Sequence, residues 1–278
     1  MKNKINMRKL WFAWLLGTAA LAWLILHFWL RYPSWTVIPV VMIYVFLSMI
    51  IFRGYFLGMS GNYYLMTNRI EKAVMMYEMA VRNNTGNVKA LYNYANILLH
   101  EKRTEESIKL LEKAMQLNTD VFYDKNIRLS LASCKWINGE IDEAIDILEE
   151  LKKLYDYVNP SALTTLGFFY FLKGDNEKAL ENTNRAIKDN DAHAPAWDNL
   201  GQIYYKEKNY EEAEKSFLKA LELKPKMVDS NYYLGCVYEE KGDTENARKY
   251  FLAANECNIS AMNTVSVEEV RDKASKYK

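Results

Sequence analysis

Residues 194–227 read APAWDNLGQIYYKEKNYEEAEKSFLKALELKPKM, and their small and large apolar side chains recur at helical spacing. The same arrangement is found 34 residues earlier and again 34 residues later. The residues that share it are Leu200, Gly201, Tyr204, Ala213, Phe217 and Ala220; Leu166, Gly167, Tyr170, Ala179 and Ala186; and Leu234, Gly235, Tyr238, Ala247, Phe251 and Ala254. A repeat of this period predicts paired helices that stack on one another, because a single pair cannot bury its own apolar face.

Glycine and alanine occupy the positions where two helices must cross closely. We expect Gly201 and Ala213 to admit the two helices of one unit, and Phe217 to fill the space beside them. Ala220 should admit the next unit. The spacing and the residue types resemble those of tetratricopeptide-repeat (TPR) proteins. The resemblance implies an all-α TPR superhelix that binds a protein or peptide segment on a concave surface formed by the first helices.

Weaker copies of the pattern extend the repeats toward the N-terminus, with small residues in the same two positions. We predict about six units, which span 54–87, 88–121, 125–158, 160–193, 194–227 and 228–261. In this register, residues 122–124 are an insertion between the second and third units, where loops tolerate extra length.

The tail, residues 262–278, is predicted to form a helix that caps the stack. Ser266 followed by Glu269 is the pattern of a capping box, and Val265 with Val270 is that of a hydrophobic staple. The alternative is a free amphipathic helix that binds a membrane. It is less favoured because the apolar face is narrow and lacks Trp and Phe.

Two uncharged runs predict a transmembrane helical hairpin over residues 10–52. After a basic segment, 1–9, the first run covers 10–30, and its 21 residues make about 31 Å of helix at ~1.5 Å per residue. The second run, 35–52, has 18 residues. A cleaved signal peptide is the alternative for the first run, but the apolar stretch is longer than the ~7–15 residues usual there.

Basic residues flank the predicted hairpin unevenly. Four precede the first run, Arg31 lies in the turn, and Arg53, Arg69 and Lys72 follow the second run. Because basic residues favour the cytoplasmic side, we expect both termini and the repeats in the cytoplasm. The sequence thus predicts a multi-pass protein of the plasma membrane, with the lipid bilayer as one partner.

Charge and motifs argue against several functions. The 36 basic and 35 acidic residues leave a net charge of +1, so there is no electrostatic case for binding nucleic acid. Cys134, Cys236 and Cys257 form no Cys-x-x-Cys pair, which argues against a zinc site. The sequence has no nucleophile-elbow, phosphate-loop, metalloprotease or calcium-loop motif. We therefore expect no enzyme activity, no metal site and no cofactor.

The register predicts which side chains of the first helices face the concave surface. Amides and hydroxyls among them can pair with a peptide backbone, because they donate and accept hydrogen bonds. Aromatic side chains among them supply pockets and lose little conformational entropy on binding. The predicted peptide-binding residues are Asn62, Tyr92, Asn93, Asn96, Ser133, Trp136, Thr165, Phe168, Asn199, Gln202, Tyr205 and Tyr232.

The charge of this predicted surface bears on the partner. TPR proteins that bind chaperone tails hold a carboxylate with basic side chains, but Gly58, Asn126 and Ser130 stand at those positions here, which disfavours such a receptor. The last two units instead carry acidic residues, which favour a basic or neutral partner segment. These are Asp198, Asp229, Glu239 and Glu240.

A membrane-anchored scaffold or adaptor is the function that these features favour. The repeats would bind a protein or peptide segment and so recruit or assemble a partner at the membrane. A peptide-sensing regulator at the membrane is the alternative. It would need an output domain, which the sequence does not reveal beyond the predicted anchor.

Overall fold

The computed structural model describes residues 14, 17, 18, 20–23, 38–118, 120–155, 158–259 and 263–277, and the regular secondary structure in these ranges is helical. The helices are α1 (Ile38–Ile51), α2 (Arg53–Met66), α3 (Ile70–Arg82), α4 (Val88–His100), α5 (Thr104–Leu117), α6 (Val121–Ile137), α7 (Ile141–Leu154), α8 (Pro160–Lys173), α9 (Asn176–Asp189), α10 (Ala194–Lys206), α11 (Tyr210–Leu223), α12 (Val228–Glu240), α13 (Thr244–Asn255) and α14 (Val267–Lys276). They belong to two compact units, residues 1–94 and 95–278.

The predicted all-α fold of paired helices is confirmed. In the first unit α2 packs on α3. In the second unit α6 packs on α7, α8 on α9, α10 on α11, and α12 on α13.

The two helices of a pair approach each other through a small residue on the first helix. A methyl group added at Gly201 would lie 2.6 Å from the ring of Phe217, and one at Gly235 would lie 2.8 Å from the ring of Phe251. Both rings are fully buried, as is Ala213. The predicted close crossing of the helices is therefore confirmed in the fifth and sixth repeats.

The turn between the two helices of a repeat contains one residue in the left-handed conformation. These residues are Asn68, Lys102, Gly139, Gly174, Lys208 and Gly242. Glycine adopts this conformation freely, whereas a side chain costs roughly 1–2 kcal/mol. At Lys208 (φ 60°) the chain still makes the same turn, closed by Asn209 N donating to Tyr204 O at 2.9 Å.

The first helix of the third repeat is longer than the sequence register predicts. It has 17 residues and begins at Val121, so residues 122–124 are helical rather than a loop. The Asp120 carboxylate accepts a hydrogen bond from Phe122 N at 2.8 Å, which satisfies a donor that the helix start would otherwise leave unpaired.

Most of the first predicted span, 10–30, and all of the basic segment, 1–9, lie outside the described residues. In the described part of the chain, no single helix has both the length and the apolar content needed to cross a bilayer. Residues 41–51 of α1 meet that criterion only together with α2, and the two helices are bent by 72° relative to each other. The second predicted span, 35–52, therefore does not continue straight into the first repeat.

The predicted capping box is present at the start of α14. Ser266 Oγ accepts from Glu269 N at 3.1 Å, and the Glu269 carboxylate accepts from Ser266 N at 2.7 Å. Val270 is buried against the sixth repeat, and the Tyr277 ring stacks on Phe251 with centroids 5.5 Å apart. The helix thus covers the apolar end of that repeat.

Candidate functional site

The first helices of successive repeats lie side by side in the second unit. α6 contacts α8, α8 contacts α10, and α10 contacts α12. Polar side chains join neighbouring repeats along this layer. Ser130 donates to Asn96 Oδ1 at 2.8 Å, and Asn199 Nδ2 donates to Thr164 O at 2.7 Å. Apart from Asn96, which lies on α4, the predicted binding residues of this unit therefore belong to one layer of adjacent helices, which we name the first-helix layer (α6, α8, α10 and α12).

Two aromatic clusters lie in the first-helix layer, and their side chains are half-buried. The rings of Trp136 and Phe168 are nearly perpendicular, with centroids 5.3 Å apart. Farther along the layer, the rings of Tyr205 and Tyr232 both contact Tyr233, at 5.6 and 5.5 Å. Edge-to-face pairs of this kind are rigid and apolar, and so suit a surface that accepts another protein segment.

The Tyr205 and Tyr232 hydroxyls both lie near the thiol of Cys236. Burial raises the pKa of this thiol to about 11, so it stays protonated near neutral pH. Burial also raises the pKa of both tyrosines. The cluster is therefore a neutral aromatic surface, with no reactive thiolate.

Sequence reasoning missed Tyr210, which begins the second helix α11. Its ring lies 5.8 Å from that of Tyr205, and its hydroxyl is close to the carboxylate of Glu240. The prediction considered only positions on first helices. The signal in the sequence was a large aromatic residue directly after the turn. The start of the second helix lies next to the first helix there, so such a side chain can reach the surface of the first helix.

The predicted acidic character of the last two repeats needs correction. Asp198 is 6% exposed and Asp229 is 9% exposed. The Asp198 carboxylate accepts hydrogen bonds from Ser230 Oγ and, at 2.9 Å, from Gln202 Nε2. Glu239 pairs with Lys273 of α14. These three acids are occupied by the fold, whereas Glu240, the fourth predicted acid, is exposed and lies close to Tyr210, so the preference for a basic or neutral partner rests on Glu240 alone.

Asp229 holds the segment that precedes α14. Its carboxylate accepts from Asn263 Nδ2 at 2.8 Å, from Thr264 N at 2.9 Å, from Thr264 Oγ1 at 2.8 Å and from Val265 N at 3.2 Å. Hydrogen bonds to a charged acceptor are stronger than neutral ones. Asp229 therefore anchors the cap.

Three predicted residues lie in the first unit. Asn62 is buried, and its Oδ1 accepts from Tyr77 OH and from Asn93 Nδ2, both at 2.9 Å. Tyr92 is half-buried on the same helix as Asn93. The two asparagines thus hold one another and Tyr77 in place.

The remaining predicted residues include two hydroxyls with partners on their own helices. Ser133 donates to Leu129 O at 3.0 Å, and Thr165 donates to Ser161 O at 2.9 Å.

Across the described residues, no group of three His, Cys, Asp or Glu side chains is placed to hold a metal ion.

Replacing Asn199 with alanine should lower the free energy of unfolding by about 0.5–1.5 kcal/mol, because it removes the hydrogen bond that Asn199 Nδ2 donates to Thr164 O of the preceding repeat. Urea unfolding followed by circular dichroism measures this. Thr165→Ala is the matched control, since its hydroxyl bonds only within its own helix. We expect a smaller change there, and equal losses in the two variants would contradict the role of Asn199.

Comparison with known families finds tetratricopeptide-repeat models at the C-terminal end of the repeats. Models of the tetratricopeptide repeat match residues 194–227 and 228–256. A model of anaphase-promoting complex, cyclosome, subunit 3 matches residues 66–151.

Curated relatives are distant and much longer. Tetratricopeptide repeat protein 37 of Xenopus laevis is 26% identical over 187 residues, which are 64% of this chain and 11% of that protein. TPR repeat-containing protein MJ1428 of Methanocaldococcus jannaschii is 25% identical over 191 residues, 59% of this chain and 31% of that protein. The chain thus spans less than a third of either relative.

Solved structures share the fold. The APC/C hetero-tetramer Cut9-Hcn1 is similar with a TM-score of 0.64 and 22% identity, over 80% of this chain and 42% of that one. TTC0263, a thermophilic TPR protein of Thermus thermophilus, is similar with a TM-score of 0.56 and 19% identity, over 68% of this chain and 98% of that one. Residues 194–256 therefore match tetratricopeptide repeats, and the helix pairs described above share the fold of a tetratricopeptide-repeat structure.

Proposed function

We propose that this chain is a membrane-anchored scaffold that binds a protein segment on its first-helix layer and recruits the bound protein to the membrane. TPR proteins are generally scaffolds for protein interactions rather than catalysts, which favours this function over an enzyme. The observation that carries the proposal is the pair of half-buried aromatic clusters in the first-helix layer.

The chemistry of that layer indicates the kind of segment it would bind. Trp136 with Phe168, and Tyr205 and Tyr232 with Tyr233, offer half-buried apolar surface. Asp198 and Asp229 are buried and occupied internally, so the charge preference of this surface rests on the exposed Glu240. An extended or helical segment with apolar anchor residues fits this surface best.

The anchor is supported by the N-terminal part of the first unit. Trp14 Nε1 donates to Ser48 Oγ at 3.0 Å, and Tyr44 OH donates to Trp14 O at 3.2 Å. A methyl group at Gly17 would lie 3.5 Å from Tyr44 Oη. Residue 14 thus lies beside residue 48 and residue 17 beside residue 44, which is the order of an antiparallel pair.

Large apolar side chains cover most of α1 and remain exposed in the described residues, as a lipid-facing helix requires. They are Ile38, Met42, Ile43, Val45, Phe46, Leu47, Met49, Ile50 and Ile51. We place both termini and the repeats in the cytoplasm, on the distribution of basic residues given above.

Photo-crosslinking in cells tests the binding surface. A benzophenone amino acid at Trp136 or Tyr205 should form a crosslink to a partner, whereas one at Leu218, an exposed apolar residue of the second helix α11, should not. A protein in the crosslinked product supports a scaffold, and a short peptide supports the peptide-sensing regulator. Equal crosslinking at all three positions would contradict a specific surface. Retention of the full chain in carbonate-washed membranes tests the anchor separately, and its release would contradict it.

A further inference from the structure

The first repeat exposes an apolar stripe on α2. The stripe residues Phe56, Met59, Tyr63 and Met66 are between 48% and 80% exposed. Their spacing of three, four and three residues places them on one side of the helix. A contiguous exposed apolar patch on a folded protein marks a surface that something else covers.

Packing within the repeat does not account for the stripe. The opposite side of α2 carries Gly54, Gly58 and Gly61, and it is this side that is buried. A methyl group at Gly54 would lie 2.4 Å from Asn83 O, and one at Gly61 would lie 2.5 Å from the Tyr77 ring. The helix thus buries its smallest residues and exposes its largest apolar ones, the reverse of a helix whose surroundings are only water.

Charge indicates the nature of the covering surface. All 35 acidic residues of the chain lie after Ile70, whereas 7 of the 36 basic residues lie before it. Arg53 and Arg69 flank α2 and are exposed. A segment that combines an apolar face with basic residues and no acid suits the headgroup region of an anionic bilayer.

Geometry connects the stripe to the proposed anchor. α1 ends at Ile51, α2 begins at Arg53, and the two are bent by 72°. If α1 lies within the bilayer, a bend of this size turns α2 toward the plane of the membrane surface. The stripe is then continuous with the exposed apolar residues of α1, of which Ile50 and Ile51 are the last.

We infer that α2 lies in the membrane interface, with the stripe of Phe56, Met59, Tyr63 and Met66 in contact with anionic lipid. The inference rests on the proposed anchor. The first repeat is then a lipid-contacting element that fixes how the chain leaves the bilayer. A second copy of the chain is the competing occupant, and Arg53 and Arg69, with no acid between them, disfavour it, because two such surfaces would repel each other.

Spin labels on the full chain test this inference. The three native cysteines are replaced with alanine, and the protein is reconstituted in vesicles of phosphatidylcholine and phosphatidylglycerol. Single labels are placed at Tyr63 and Met66 on the stripe, at Phe46 on α1, and at Arg82, an exposed residue of α3, as the control. The readout is the accessibility of each label to oxygen, which partitions into lipid, relative to a nickel complex, which stays in water.

The ratio at Tyr63 and Met66 should be several times that at Arg82 and approach that at Phe46. A high ratio at Phe46 with water-like values at Tyr63 and Met66 would overturn the inference and leave the anchor intact. Labels at Tyr63 and Met66 that neither reagent reaches would assign the stripe to a second copy or another protein, which also overturns it. A water-like ratio at Phe46 would reject the anchor and the inference together.

Discussion

A leucine at position 201 should destabilise the chain by about 3 kcal/mol or more, the upper part of the range for overpacked cores. A single added carbon at Gly201 already lies 2.6 Å from two atoms of the Phe217 ring, and leucine adds three more carbons. Phe217 is fully buried between α10 and α11 and has no free space to enter. The two helices must therefore separate, which exposes the core of the fifth repeat.

Urea unfolding of the full chain in mild detergent, followed by circular dichroism, measures the effect of Gly201→Leu. Gly201→Ala is the milder variant, for use if the leucine variant does not fold. Adding Phe217→Leu to the Gly201→Ala chain should restore part of the stability that Gly201→Ala loses. Gly139→Asn is the control, because a methyl group there meets nothing within 4 Å and asparagine tolerates its left-handed backbone. An unchanged unfolding curve for Gly201→Leu would mean that the repeat register is wrong.

The close crossing of α10 and α11 could be predicted from the sequence, because the small and large residues that it requires are close together in the chain and recur with the repeat. Gly201, Ala213 and Phe217 recur with the same spacing in the next repeat, and the structure places Gly235 against Phe251 in the same way. The turns were harder to predict. Glycine marks the left-handed position at Gly139, Gly174 and Gly242, but the other turns place asparagine or lysine there, so composition alone does not reveal them.

The candidate site was harder to predict than the fold. Trp136, Phe168, Tyr205 and Tyr232 have half-buried side chains on first helices, where the register expected exposed positions. Asn199 has the expected helix position, but its amide is occupied by the carbonyl of a residue 35 positions earlier. A periodic pattern gives the direction of a side chain relative to its own helix, whereas its partners depend on neighbouring repeats.

Asp198 and Asp229 are the clearest examples of this difference. By sequence they are polar residues of two first helices that could face solvent. Asp229 is instead covered by the segment before α14, more than 30 residues away, and Asp198 by Ser230 and Gln202. No short-range pattern encodes a contact at that separation, so the burial of two carboxylates was not foreseen.

The contribution of Asp198 to stability should fall as the pH rises from about 4 to about 7, and Asp198→Asn should remove that fall. Burial, and secondarily the negative charge of Asp229, raises the pKa of Asp198 from its ordinary value of 3.8 to about 7. The unfolded chain releases this proton near pH 4, while the folded chain keeps it until about pH 7. The stability that Asp198 contributes is therefore complete below pH 4 and lost above pH 7.

An asparagine at 198 keeps the neutral form at every pH. Its carbonyl can accept from Ser230, and its amide can donate to Gln202 Oε1 once the Gln202 carboxamide turns over, because Gln202 Nε2 faces this position in the parent. Urea unfolding between pH 4 and pH 8 should thus show a flatter profile for Asp198→Asn and a higher stability than the parent at pH 8. Asp243→Asn is the control, because hydrogen bonds from Asn246 lower the pKa of Asp243 and its contribution changes only below about pH 4, so its profile between pH 4 and pH 8 should run parallel to that of the parent. If Asp198→Asn followed the parent profile throughout, Asp198 would not be the group that titrates.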